Sequence, residues 1–313
     1  MKNDPIEAAL AALDDVPLRT PEGLKQITKA LAAKSNLVVA KAARIAGDSQ
    51  WTELSPELVK AFERLLKGGV SADKGCAAST AIARALFALD YDGAELYLAG
   101  MHHVQIEPAY IRPTDTAVDL RSICAMGLVS TNYRHKLREL VDLLVDPEWQ
   151  ARAGAVRAIA TAGSEPAALL LRLKAQIGDK EPDVMADCFS GLLAMEGVEA
   201  LPLVTSFADG RAADGRAKEL SETAILALGE SRRAEAVEWL KEKFARTADG
   251  ETRQAILLAL ATSRTEPAIE FVLDLIRSGS ERTSEMALSA MEVNRGDRRL
   301  QEEVEKALQE RRA

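Results

Sequence analysis

The residues of this 313-residue sequence best suited to recognition chemistry fall in one segment: His102-His103, then Tyr110 and Arg112. Tyrosine is a common binding anchor, and arginine clamps a carboxylate through two parallel hydrogen bonds. His102, His103, Tyr110 and Arg112 are therefore the candidate binding residues. Adjacent histidines on a helix diverge by about 100°, so His102-His103 is no chelating pair. The remaining histidine is His135, and no carboxylate stands at a diagnostic spacing, so no metal site is expected. Three histidines, two of them adjacent, build no convincing Ser/His/Asp or Cys/His constellation. No catalytic residue and no cofactor is assigned. Asp-Gly-Arg occurs twice between Asp209 and Ala217, but without a Gly-x-x-x-x-Gly-Lys phosphate loop, and a turn is expected there.

The elements around the candidate residues explain why they stand out. Residues 105–113 contain Pro108 and Pro113, each removing a backbone donor and pushing its predecessor toward extended geometry. The segment cannot be ordinary helix and reads as an insertion. One helix is expected before it, from about Asp92 to Val104, and another after it, from Ala117 to Leu128, capped by Thr114–Thr116. Loops on rigid scaffolds are where binding residues collect. The alternative is a tolerated insertion whose Ile106, Tyr110 and Ile111 pack on adjacent helices.

Beyond the insertion a beat emerges. Gly127, Gly163, Gly197, Gly229, Ser263 and Gly296 lie 36, 34, 32, 34 and 33 residues apart. Each interval holds a charged amphipathic helix, a turn and an alanine-rich helix, the mark of a stacked solenoid. Helix pairs are expected at roughly 164–197, 198–231, 232–263 and 264–297. The chain before Tyr133 is less regular. Ser55-Pro56-Glu57 opens a helix, and Asp4-Pro5 opens an N-terminal capping helix to about Val16. Arg298 to Ala313 is a charged terminal helix with one seam, Leu300, Val304 and Leu308.

The stretch from Asp146-Pro147-Glu148 through Val156-Arg157 to Ala160 resembles the second helix of a HEAT repeat, whose phrase runs Asp-Pro, Val-Arg, Ala-Ala, Ala-Leu-Gly. Asp179 to Leu193 and Val38 to Gly47 are similar to it more loosely. The arginine that often accompanies the phrase is present as Arg152, while Val39 and Met185 stand in its place elsewhere. The resemblance implies an all-α fold, a right-handed α-α superhelix of about eight helix pairs plus terminal capping helices. It also implies a concave side lined by the second helices, and binding rather than chemistry. The chain reads as a single HEAT-like solenoid domain over 1–313: irregular repeats at 1–132, regular repeats at 133–297, and a capping helix at 298–313.

Aromatic residues are 4% of the chain, so the core must be Ala, Leu, Val and Ile, which suits close helix packing. The formal charge is −8 and uneven. Residues 1–160 hold 19 Lys+Arg against 20 Asp+Glu, and the remainder hold 21 against 28. Nucleic-acid backbones demand a basic stripe, so nucleic acid is an unexpected partner. The acidic half mildly favours a basic protein. Cys76, Cys124 and Cys188 read as small buried residues of a reducing compartment. No window approaches 18 apolar residues and no leader pattern is present, so no membrane span is expected and the cytoplasm is the expected location.

These readings converge on a non-catalytic protein-binding or assembly scaffold that uses the concave face and the 102–113 loop. The alternatives are an enzyme on HEAT-like repeats, of the DNA glycosylase or bilin lyase type, and a regulatory subunit of an enzyme complex. The partner is expected to be a protein or peptide; the sequence does not set the oligomeric state.

Overall fold

The computed structural model describes residues 5–211 and 217–312. The chain divides into two compact units, Met1–Gly163 and Ser164–Ala313. In the first, α1 (Pro5–Ala12) precedes four helix pairs: α2 (Pro21–Leu31) with α3 (Asn36–Asp48), α4 (Ser55–Gly68) with α5 (Ala77–Ala88), α6 (Ala94–Met101) with α7 (Val118–Ser130), and α8 (Lys136–Leu143) with α9 (Trp149–Ala162). Between α6 and α7 lie β1 (Ile106–Glu107) and β2 (Thr114–Asp115), the only strands among the described residues. The second unit holds α10 (Glu165–Ile177) with α11 (Pro182–Glu196), α12 (Leu201–Ala208) with α13 (Ala217–Glu230), α14 (Ala234–Arg246) with α15 (Gly250–Ser263), and α16 (Glu266–Ser278) with α17 (Glu281–Met291). It ends in α18 (Arg298–Arg312). The fold is the expected all-α arrangement of helix pairs, with the four C-terminal pairs at the expected positions.

Within each unit the second helices stack on one another, α3 on α5, α5 on α7 and α7 on α9, then α11 on α13, α13 on α15 and α15 on α17. Alanine makes this possible: Ala42, Ala43, Ala78, Ala83, Ala125, Ala155 and Ala158 are buried. Small side chains let helix axes approach closely, and the larger aliphatics fill the space toward the first helices. Proline in the first turn opens α2, α4, α10, α11, α12 and α16, where its missing N–H costs nothing. The last helix is pinned by Arg311, whose Nη1 donates to the carbonyls of Ile276 (3.1 Å) and Gly279 (2.8 Å) at the end of α16.

Two expectations change. Helix α1 stops at Ala12 rather than Val16, although Leu13 and Val16 are buried. One segment, Pro182–Ala208, does reach the length and hydropathy of a membrane span. It is not one rod, because Gly197 takes a φ of 63° and a 3-10 turn at Gly197–Ala200 divides it into α11 and α12. Both halves pack on α13. The repeated Asp-Gly-Arg segment falls largely outside the described residues, at 212–216.

All three cysteines are free and buried. Burial pushes the Cys188 thiol up to about 12. It also raises Cys76 to about 11, against a weaker opposing contact from the Thr116 hydroxyl. Thiolates are the reactive form. An aromatic disulfide reagent at neutral pH should therefore titrate none of the three in native protein and all three after denaturation. Rapid reaction of any one in the folded state would contradict its placement.

Candidate functional site

The insertion is a β-hairpin. Strands β1 and β2 pair antiparallel, Ile106 opposite Asp115 and Glu107 opposite Thr114, so residues 108–113 form its tip. Prolines 108 and 113 sit just outside the paired residues, where a missing donor does no harm. Two residues per strand are too few to hold a hairpin in water by pairing alone. Its stability must come from the base.

That base is a buried polar network. Glu107 Oε1 accepts from the Gly75 amide (2.6 Å), the Gln105 side-chain amide (2.8 Å) and the Thr116 hydroxyl (2.8 Å). Gln105 Nε2 also donates to the Asp73 carbonyl at 2.8 Å. Asp73 in turn accepts from the amides of Ala78 (2.9 Å) and Ser79 (2.8 Å), satisfying the start of α5. Asp115 accepts from the amides of Gln105 (3.1 Å) and Ala117 (3.0 Å) and pairs with Arg121 Nη1 at 2.6 Å. Arg121 also donates to the His103 carbonyl (3.0 Å), and its Nε lies 2.9 Å from Asp146 Oδ2. One buried guanidinium thus ties α6, β2, α7 and the turn before α9 together.

Asp115 and Glu107 are held ionised. Burial works against the charge of Asp115, but the Ala117 amide, Arg121 and the Gln105 amide outweigh it and keep the group below the usual carboxylate range. The Gly75 amide does the same for Glu107, against its own desolvation and with help from Gln105 and Thr116.

The hairpin inverts ordinary polarity. Gln105, Glu107 and Asp115 are buried, while Ile106 is more than half exposed, Ile111 is 91% exposed and Tyr110 is fully exposed. The alternative in which Ile106, Tyr110 and Ile111 pack on neighbouring helices is therefore overturned. Polar anchors occupy the space beneath the hairpin and leave the apolar side chains no floor. Tyr110 and Arg112 share the exposed tip, whereas His102 and His103 do not join them. His102 follows the end of α6, with Nε2 3.5 Å from Glu139 Oε2 on α8, and His103 contributes its carbonyl to Arg121.

Gln105, Glu107, Asp115 and Arg121 were not singled out from sequence. A usable signal existed: Asp115 precedes Arg121 by six residues, as Asp146 precedes Arg152, and Arg152 Nη1 bonds the Asp146 carbonyl at 2.9 Å. In the next pair Met185 holds the arginine position, and Asp179 pairs with Lys174 at 2.7 Å. A second surface was also missed: Leu169, Leu173 and Ile177 form an exposed aliphatic stripe at four-residue spacing on α10. Among the described residues, no three His, Cys, Asp or Glu side chains are grouped as metal ligands.

Residues 210–292 match the family model for HEAT repeats. No curated protein matches the chain. Among solved structures, human deoxyhypusine hydroxylase in complex with glycerol is similar at 18% identity, over 83% of this chain and 91% of that one, with a TM-score of 0.31. An engineered protein is similar at 17% identity, over 98% and 91%, with a TM-score of 0.39. The CpcE–CpcF complex of phycocyanin lyase from Nostoc is similar at 14% identity, over 95% of each chain, with a TM-score of 0.36.

Proposed function

We propose that this chain of HEAT repeats is a non-catalytic scaffold that holds a protein partner through the hairpin tip between α6 and α7. The observation that carries the reading is the exposure of Tyr110 and Ile111 on a hairpin whose base is locked by buried ion pairs. A large apolar side chain presented on a rigid mount loses little conformational entropy on binding, which is what an interface anchor requires. Arg112 at the same tip adds a donor for a carboxylate on the partner's rim. The second-helix face supplies further contact area. Three buried free thiols suit a reducing, cytoplasmic setting.

The test is affinity capture from source lysate with wild type and with Tyr110→Ala/Ile111→Ala in parallel. Wild type should retain one stoichiometric protein, and the double variant should bind it at least about tenfold more weakly, as loss of interface anchors does. Thermal unfolding should stay within about 0.5 kcal/mol of wild type, since both side chains lie in solvent. Equal capture by the folded double variant, or recovery of nucleic acid or pigment instead of protein, would overturn the reading.

A further inference from the structure

The first unit carries a second feature, distant in sequence from the hairpin. Helices α3 and α5 approach closely where Gly47 meets Ala85, with room for no more than a hydrogen between them; a Cβ on Gly47 would stand 3.0 Å from the Ala85 Cα. Arg44 lies one turn before Gly47, and Arg84 immediately precedes Ala85. The close approach therefore sets two guanidinium-bearing residues beside each other on the second-helix layer. Both line one cavity of about 390 Å³, together with Leu10, Leu37, Ala40 and Ala81. That size lies within the range of roughly 300–1,000 Å³ typical of ligand sites.

The cavity has two chemical ends. Leu37 and Ala77 lie one helical repeat, seven residues, before Arg44 and Arg84 on their own helices, and Ala40, Thr80 and Ala81 form the floor between. Among the described residues neither arginine has a hydrogen-bond or ion-pair partner, although Lys41 on the same helix is paired with Asp14 at 2.6 Å. Two like charges at one groove repel each other unless an anion sits between them. No carboxylate among the described residues lines the groove beside them, so the lining itself carries only positive charge.

We infer that this groove binds an acidic peptide segment, its carboxylates on Arg44 and Arg84 and an adjoining apolar side chain over Leu37 and the alanine floor. Charge complementarity selects the carboxylates, and the apolar end distinguishes a peptide from a bare anion. The inference extends the scaffold reading by naming a second binding site and its ligand class, and it does not depend on the hairpin.

The experiment uses the full chain and a fluorescein-labelled peptide of alternating glutamate and leucine, read by anisotropy. Wild type should bind it with an affinity that falls as salt rises. Arg44→Ala/Arg84→Ala should weaken binding at least about tenfold, the worth of one charge-assisted hydrogen bond, and Leu37→Ser should weaken it less. Tyr110→Ala/Ile111→Ala should bind the peptide as wild type does, which separates failure of this groove from failure of the hairpin reading. Circular dichroism should confirm that the arginine variant is folded. Unchanged peptide affinity in that folded variant would overturn the proposal. So would equal binding of a lysine-leucine peptide, complete displacement by inorganic phosphate at the same concentration as peptide, or arginine-dependent binding to anionic phosphatidylserine vesicles in place of peptide.

Discussion

Arg121→Ala is expected to lower the unfolding free energy by about 3–5 kcal/mol, the usual cost of removing one partner from a buried ion pair. The guanidinium is 3% exposed and has Asp115 at 2.6 Å and Asp146 at 2.9 Å. Without it, buried Asp115 and half-buried Asp146 lose the cation they share, and the His103 carbonyl loses its donor. Urea unfolding monitored by circular dichroism measures the loss, and a change under about 1 kcal/mol would show that the network does not hold the hairpin. The same network sets an acid limit. Asp115 and Glu107 titrate below their ordinary range when folded, so the unfolded chain takes up their protons first. Their stabilisation is complete above the unfolded carboxylate values, near pH ~4, and fades as pH falls through the lower folded values. Asp115→Asn should therefore be less stable than wild type at neutral pH, and the gap should narrow on acidification. A gap that widens toward low pH would reverse the assigned sign.

Gly229→Ala should cost about 1–3 kcal/mol, the range for forcing extra volume into a close-packed interior. A Cβ there would lie 2.7 Å from the carbonyl carbon of Ala259 and 2.8 Å from its Cα. Those atoms belong to the backbone of α15, so no side-chain rotation relieves the clash and α13 must move off α15. Alanine is otherwise the better helix former, by roughly 1 kcal/mol over glycine, which makes the sign of the effect diagnostic. A Gly229→Ala protein that melts higher than wild type would mean the two helices are not in contact. Gly163→Ala makes a useful comparison, because its φ of 63° follows the end of α9 with no tight neighbour, and only left-handed strain opposes it.

These two glycines show how far the sequence could be read. The beat from Gly127 to Gly296 places the helix pairs well, yet its members do different things. Gly163 and Gly197 end helices in left-handed geometry, whereas Gly127 and Gly229 lie inside helices at close crossings, against Tyr97 and Ala259. Elsewhere the left-handed position after a second helix is filled by Gln50, Asp90, Arg232 and Arg264, which no search for glycine would find. Local turn chemistry tolerates these substitutes at modest cost, so period survives in the sequence while role does not.

The candidate site divides the same way. Pro108 and Pro113 announce a break in the helices, and Tyr110 and Arg112 do end on its exposed tip. The direction of Ile106 and Ile111 was not legible, because it depends on what lies beneath the hairpin. That space is filled by Asp73 and Gly75, some thirty residues earlier, and Arg121 and Asp146, up to about forty residues later. The groove between α3 and α5 is hidden for the same reason: Arg44 and Arg84 are forty residues apart and become neighbours only when Gly47 meets Ala85.

Periodicity is a local property, carried by each helix's own apolar spacing, so the sequence by itself determined the all-α repeat architecture, the helix pairs and the place where they are interrupted. Which side chains share a surface, and whether an apolar one is covered or left in water, depends on contacts between residues remote in the chain. Only the tertiary structure could decide that the interruption is a hairpin with a charged, buried root and an apolar, exposed tip.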